Sequence, residues 1–290
     1  MRSESILILP LHAQKIMRKT CIIIVLLAFF MPFAYSQRSG DLGILGGAGY
    51  YIGDLNPATP FRMPKAAYGV MYRYNINTRV GIRFHGIYGK VAGDDAVSNV
   101  NPTRNLNFES TITEVGTQLE INFFDYFVGS KYHRITPYIF GGINFFMFEP
   151  FGTVGGNFVA LKPLKTEGEG IVPDRNPYNL YAISYPLGLG VKYSVSKLIG
   201  VGAEWGLRKT TTDYLDDVST TYYFNADTLS APNAAKTEYL ASDPNLSHQS
   251  GMQRGNSRDT DWYAFALVQV TVKIRMLKKE RCLDHQREGH

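Results

Sequence analysis

Cysteine is nearly absent from this chain: 290 residues carry two, Cys21 and Cys282. Cys21 falls in an apolar stretch near the start and is not followed by a lipoprotein processing pattern. Cys282 falls in a charged tail, so no internal disulfide staples the fold. Long apolar runs are also missing. The stretch 21–33 is too short for a membrane anchor, and no later one approaches the roughly eighteen residues a spanning helix needs. Charge is scarce, with Asp, Glu, Lys and Arg together at 19% and a formal net of +5. Arg2, Lys15, Arg18, Lys19 and Glu4 all precede residue 37, and subtracting them leaves about +2. Nothing in this balance argues for a nucleic-acid partner.

What is present is aromatic and glycine-rich: 28 Gly, 19 Tyr and 17 Phe, a composition of strands, turns and aromatic girdles. Met17, Arg18 and Lys19 form a basic start, 21–33 an apolar core, and Ala34-Tyr35-Ser36 a small-x-small cleavage site. A leader is therefore expected over 1–36, with an upstream extension 1–16 and a signal peptide at about 17–36. The fold is expected over 37–276, followed by a charged tail at 277–290.

The stretch 259–276 has a strand period. Trp262, Ala264, Ala266, Val268, Val270, Val272 and Ile274 share one face, and Tyr263, Phe265, Leu267, Gln269, Thr271, Lys273 and Arg275 the other. Earlier segments alternate in the same way at 41–51, 67–74, 79–91, 108–124, 136–148, 180–194 and 199–212. Alternation alone also suits a soluble sandwich with its faces exchanged. The connections decide between them, because they are longer after strands one, three, five and seven and shorter after two, four and six. That sorting predicts an all-β chain forming an eight-stranded antiparallel up-and-down transmembrane barrel, with short periplasmic turns and long extracellular loops. It places the protein in the outer membrane of a Gram-negative bacterium, in contact with outer-membrane lipid.

The inward faces then collect Arg73, Arg79, Arg83, Glu114, Gln118, Glu120, Lys192, Glu204, Arg208, Gln269 and Lys273. An eight-stranded barrel is just wide enough for side chains to fill, so these are expected to interlock as a charge-paired plug, with Arg83 pairing Glu120. A small-solute pore is the alternative. Phe265 and Leu267 favour a packed, dry upper lumen.

Catalysis has less support. Among His85, His133, His248, His285 and His290, His85 alone sits on a clear strand face, and it has no evident Ser partner. A Ser or carboxylate within hydrogen-bond reach of His85 or His133 would revive a surface lipid-modifying or proteolytic enzyme. Asp94-Asp95 and the acids of 213–217 offer oxygens for calcium but lack a dedicated spacing, so turn and loop contacts are the simpler reading. No catalytic, cofactor or metal residues are assigned. Gly46-Gly47-Ala48-Gly49 is not followed by a helix and is read as strand curvature rather than a phosphate loop. The basic run 275–281 falls at the periplasmic end.

Five strings at loop edges are more specific. They are Tyr50-Tyr51-Ile52-Gly53-Asp54-Leu55-Asn56-Pro57, Arg104-Asn105-Leu106-Asn107-Phe108, Thr136-Pro137-Tyr138-Ile139-Phe140-Gly141-Gly142, Leu164-Lys165-Thr166-Glu167-Gly168-Glu169-Gly170 and Asp213-Tyr214-Leu215-Asp216-Asp217-Val218-Ser219. In that order they resemble the outer-membrane barrel family of Bacteroidetes that includes PorG of the type IX secretion system. The resemblance implies a non-enzymatic, monomeric barrel that anchors a protein secretion machine by associating with periplasmic ring subunits like PorK and PorN. It carries over no catalytic site.

Overall fold

The structure is a computed structural model and describes residues 39–224 and 237–275. The expected leader and charged tail lie outside the described residues, as does 225–236 of the longest loop.

Among the described residues nine strands are present: β1 (Ser39–Ile52), β2 (Lys65–Asn75), β3 (Val80–Asp94), β4 (Asn107–Asn122), β5 (Ile135–Val154), β6 (Asn157–Ala160), β7 (Tyr181–Ser194), β8 (Ile199–Thr210) and β9 (Trp262–Arg275). Eight form a closed antiparallel wall, β1-β2-β3-β4-β5-β7-β8-β9, and β9 pairs back onto β1. β6 pairs only with the upper end of β5. The sequence read that region as loop because four residues are too few to display an alternation.

Following paired residues around the wall from Gly40 passes Tyr74, Ile82, Leu119, Gly141, Leu187, Leu207 and Ala264. It returns to β1 at Tyr50, ten residues further along. A stagger of that size over eight strands tilts each strand by about 40° from the barrel axis. Closure leaves no edge in the wall, so backbone N–H and C=O groups are satisfied between strands, as a hydrocarbon environment demands.

Alternation sorts the side chains. Leu42, Ile44, Val70, Phe84, Val115, Leu119, Ile139, Ile143, Leu187, Leu189, Val268, Val270 and Val272 point outward and are exposed. At the tilt above, ten residues per strand give an apolar belt roughly 25 Å tall. No described helix is long and apolar enough to cross a membrane.

The loop sorting is less clean than the sequence indicated. The connection between β4 and β5, residues 123–134, is as long as 53–64 and 95–106 at the other end. It occupies its length by folding into the barrel mouth. Tyr126 and Val128 are buried there, and Lys273 Nζ donates to the Val128 carbonyl at 2.9 Å.

Candidate functional site

The lumen is filled in layers. Nearest the short-turn end, Glu120 accepts from Arg73 Nε at 2.6 Å and Lys192 Nζ at 2.5 Å, with Arg83 Nε at 3.4 Å. Asp41 lies 3.7 Å from Arg73. Arg83 forks onto Glu204 at 2.5 and 3.1 Å and also bonds Gln118. Gln269 accepts from Arg73 at 2.8 Å and donates to Tyr138 Oη at 2.9 Å, and Tyr138 donates to Glu204 at 2.5 Å. Three carboxylates, Asp41, Glu120 and Glu204, face three cations, Arg73, Arg83 and Lys192. Charge balance and hydrogen bonds to nearly every head group let such ions be buried without a stranded charge. The Lys192 ammonium lies over the Tyr138 ring at 4.1 Å and the Arg83 guanidinium over Phe140 at 5.2 Å.

Above this, Glu114 takes Tyr263 Oη at 2.6 Å and Arg208 Nε at 3.4 Å on one oxygen and His85 Nε2 at 2.8 Å on the other. Ser184 Oγ sits 3.0 Å from Tyr263 Oη and Asn144 donates to Ser184 at 3.4 Å. The expected sign of a catalytic histidine, a Ser or carboxylate within reach, is therefore met at His85 by Glu114. Among the described residues no serine bonds either imidazole: Ser184 is separated from His85 by Tyr263 and Glu114, and Ser130 accepts from the backbone N–H of His133. The His85 and Glu114 side chains are 0% exposed, so a substrate has no access to them.

Higher still the lumen is apolar, with Tyr51, Leu55, Val91, Phe108, Ile112, Phe146, Phe148, Leu215 and Val218 all buried. Leu215 and Val218 come from the longest loop, which turns down into the mouth. A polar cap covers this layer. Arg254 donates to Glu167 at 3.0 Å and to the Asp217 carbonyl at 2.6 Å. Glu167 also accepts from Ser219 N and Thr220 N, both at 2.9 Å. Arg104 pairs with Asp95 at 2.7 Å and donates to the carbonyls of Arg254 and Asp54 at 2.7 and 2.8 Å. Asp54 accepts from Asn256 N at 2.8 Å, and Asn56 donates to the Tyr51 carbonyl at 2.8 Å. Tyr214 stacks on Tyr178 at 4.5 Å.

Tyr51 Oη lies 2.5 Å from Asp216 and 2.8 Å from Asp261. A phenol carries one proton, so the second contact needs a proton on a carboxylate. Burial pushes both Asp216 and Asp261 well up in that direction, helped by the charges of Asp261 and Asp54 at Asp216 and of Asp213 and Asp54 at Asp261. Burial also raises Asp217, against the pull of Arg254, to about 7. Asp213 rises to about 7 through burial and the charges of Asp54 and Glu167.

The sequence-derived set thus divides. Arg83, Glu114, Gln118, Glu120, Lys192, Glu204, Arg208 and Gln269 meet in the lumen. Lys273 is half-buried at the rim and bonds a carbonyl rather than a carboxylate. Arg79, assigned to the lumen from its parity, stands outside it and pairs with Asp125 at 2.6 Å, because it is the last residue of a turn and precedes β3. Of the loop residues, Asp54, Asn56, Arg104, Glu167, Asp216 and Asp217 converge in the cap, with Gly53 bridged to Asn56. Gly168 and Asn105 supply positive-φ turns beside them.

Asp94 accepts from Ala96 N at 2.7 Å as a helix cap, and the described residues hold no metal-ligating group of three side chains. Sequence reasoning missed Asp41, Tyr138, Tyr263, Asp261 and Arg254. The first three have inward strand parity that could have flagged them, whereas Arg254 stands in irregular chain with no local signal.

The sequence model of the family described as Domain of unknown function (DUF6089) matches residues 18–233. The chain belongs to that family. The matched segment includes the loop 213–219 and leaves Arg254, Asp261 and β9 beyond its end. No curated protein sequence matches the chain. Among solved structures it is similar to Ail, the attachment invasion locus protein of Yersinia pestis, at 8% identity and TM-score 0.37, over 82% of this chain and 97% of Ail. Neisserial surface protein A is similar at 11% identity and TM-score 0.37, over 82% and 98%. The outer membrane protein OprG from Pseudomonas aeruginosa is similar at 11% and 0.37, over 83% and 99%. Membership of the closed eight-stranded class rests on the strand register itself.

Proposed function

We propose that this member of the family is a closed outer-membrane barrel that serves as a membrane-fixed scaffold for other proteins, and neither conducts solutes nor catalyses a reaction. The filled lumen carries this reading. Arg73, Arg83, Arg208, Tyr138, Phe140, Phe146 and Phe265 are each 2% exposed or less, and the loop cap adds a second closure. With the long loops outside the cell, the short turns and both ends of the described chain face the periplasm. Purified protein in planar bilayers is expected to give no steady conductance; reproducible channel openings would overturn the scaffold in favour of the small-porin alternative.

The finer reading, a barrel that anchors a type IX-like secretion machine through PorK- and PorN-like ring subunits, rests on the resemblance of the five strings. Four of the strings serve the loop cap at the end away from the periplasm, so a ring contact would use the short turns instead. Crosslinking in the native membrane is expected to recover ring subunits, and their absence would remove the secretion role while leaving the scaffold.

A further inference from the structure

The 123–134 connection does more than stopper the mouth. Its inner half is fixed by Tyr126 and Val128 and by Gly129 N donating to Ser194 Oγ at 2.8 Å, and its far end is tied by Ser194 N donating to the Arg134 carbonyl at 2.7 Å. Its outer half, Lys131, Tyr132, His133 and Arg134, is held fully outward, with Tyr132 91% exposed. The next turn around the rim adds Lys197, also exposed. Asp125 is occupied by Arg79, and among the described residues none of Lys131, Arg134 and Lys197 has a carboxylate partner.

These cations are interleaved with exposed Phe123, Phe124, Val195, Leu198 and Ile135, and Ile135 is the first residue of the apolar belt on β5. Cations and aromatic rings directly below an apolar belt sit at headgroup height, where their stems lie along hydrocarbon and their charges reach phosphate. An acidic soluble partner would match the cations and leave the flanking Phe and Ile side chains without a role.

We propose that Lys131, Tyr132, Arg134 and Lys197 form a collar that binds the phosphate headgroups of anionic phospholipid in the leaflet facing the short turns. The collar rests on the outer-membrane reading above. Each near-surface cation is worth about a fivefold gain in local anionic lipid.

The test uses the full-length protein folded in detergent, with heat-modifiable gel migration and flotation on phosphatidylcholine vesicles as proof of a membrane barrel. Lipid retention is then read by native mass spectrometry from micelles doped with phosphatidylglycerol or phosphatidylcholine. Wild type is expected to retain phosphatidylglycerol preferentially. The combined Lys131→Gln, Arg134→Gln, Lys197→Gln variant should lose more than tenfold of that preference. Lys165→Gln with Lys209→Gln, exposed cations at the other end, should retain it. An inserted wild type without preference, or an inserted triple variant that keeps it, overturns the collar alone. Failure to insert overturns the barrel reading and the collar with it.

Discussion

Arg83→Met tests whether the lumen is a set of mutually dependent charges. Arg83 is fully buried and forks onto Glu204 at 2.5 and 3.1 Å. Removing it affects the two neighbouring carboxylates unequally. Glu120 keeps Arg73 at 2.6 Å and Lys192 at 2.5 Å. Glu204 loses its ion pair and keeps the Tyr138 hydroxyl as its remaining bonded side chain. A buried carboxylate stranded in this way costs about 3–5 kcal/mol, whereas neutralising both members together is often tolerated. Arg83→Met is therefore expected to lower unfolding free energy by that amount, measured by urea titration in lipid vesicles and followed by heat-modifiable migration. Glu204→Gln preserves the acceptor for Tyr138, so adding it to Arg83→Met should recover more than half of the loss. A single variant costing under about 1 kcal/mol, or a double variant no better than the sum of the singles, would refute the charge-paired lumen.

Two further predictions concern the cap. The folded values of Asp216, Asp217 and Asp261 are raised above an unfolded value near 4, so the folded cap holds protons that the unfolded loop releases. Its stability should be fullest below about pH 4 and should fall as pH rises through 7. Hydrogen exchange of 211–224, corrected for the intrinsic rate, should lose protection between about pH 5 and 8, and a flat profile would contradict the shared-proton arrangement at Tyr51. Gly168 has φ +79°, and a Cβ there would lie 2.7 Å from Val172 Cγ2 and 2.9 Å from the Tyr223 ring. Gly168→Ala should cost the cap about 1–3 kcal/mol, seen as faster loop proteolysis with unchanged barrel migration.

The wall was legible because strand alternation is written residue by residue. Val268, Val270 and Val272 against Gln269, Thr271 and Lys273 assign outside and inside without any partner strand. Four residues of the family-like strings, Asp54, Arg104, Glu167 and Asp217, meet in one cap. The partners of those residues were not legible. Arg254 ties Glu167 to Asp217 from irregular chain in which no period marks it, and Asp261 closes on Tyr51 from 210 positions away.

By itself the sequence determined the strand faces and most of the inward charge, though it counted Arg79 and left out Asp41. The tertiary structure decided which charges meet. Arg83 does pair with Glu120 on the adjacent strand, at 3.4 Å as expected, but its closest carboxylate is Glu204 on β8, four strands around the ring and opposite β3. Neighbours along a wall follow from local register, whereas partners across a lumen follow from the number of strands and the ten-residue stagger at closure. Both are global quantities that no local period encodes.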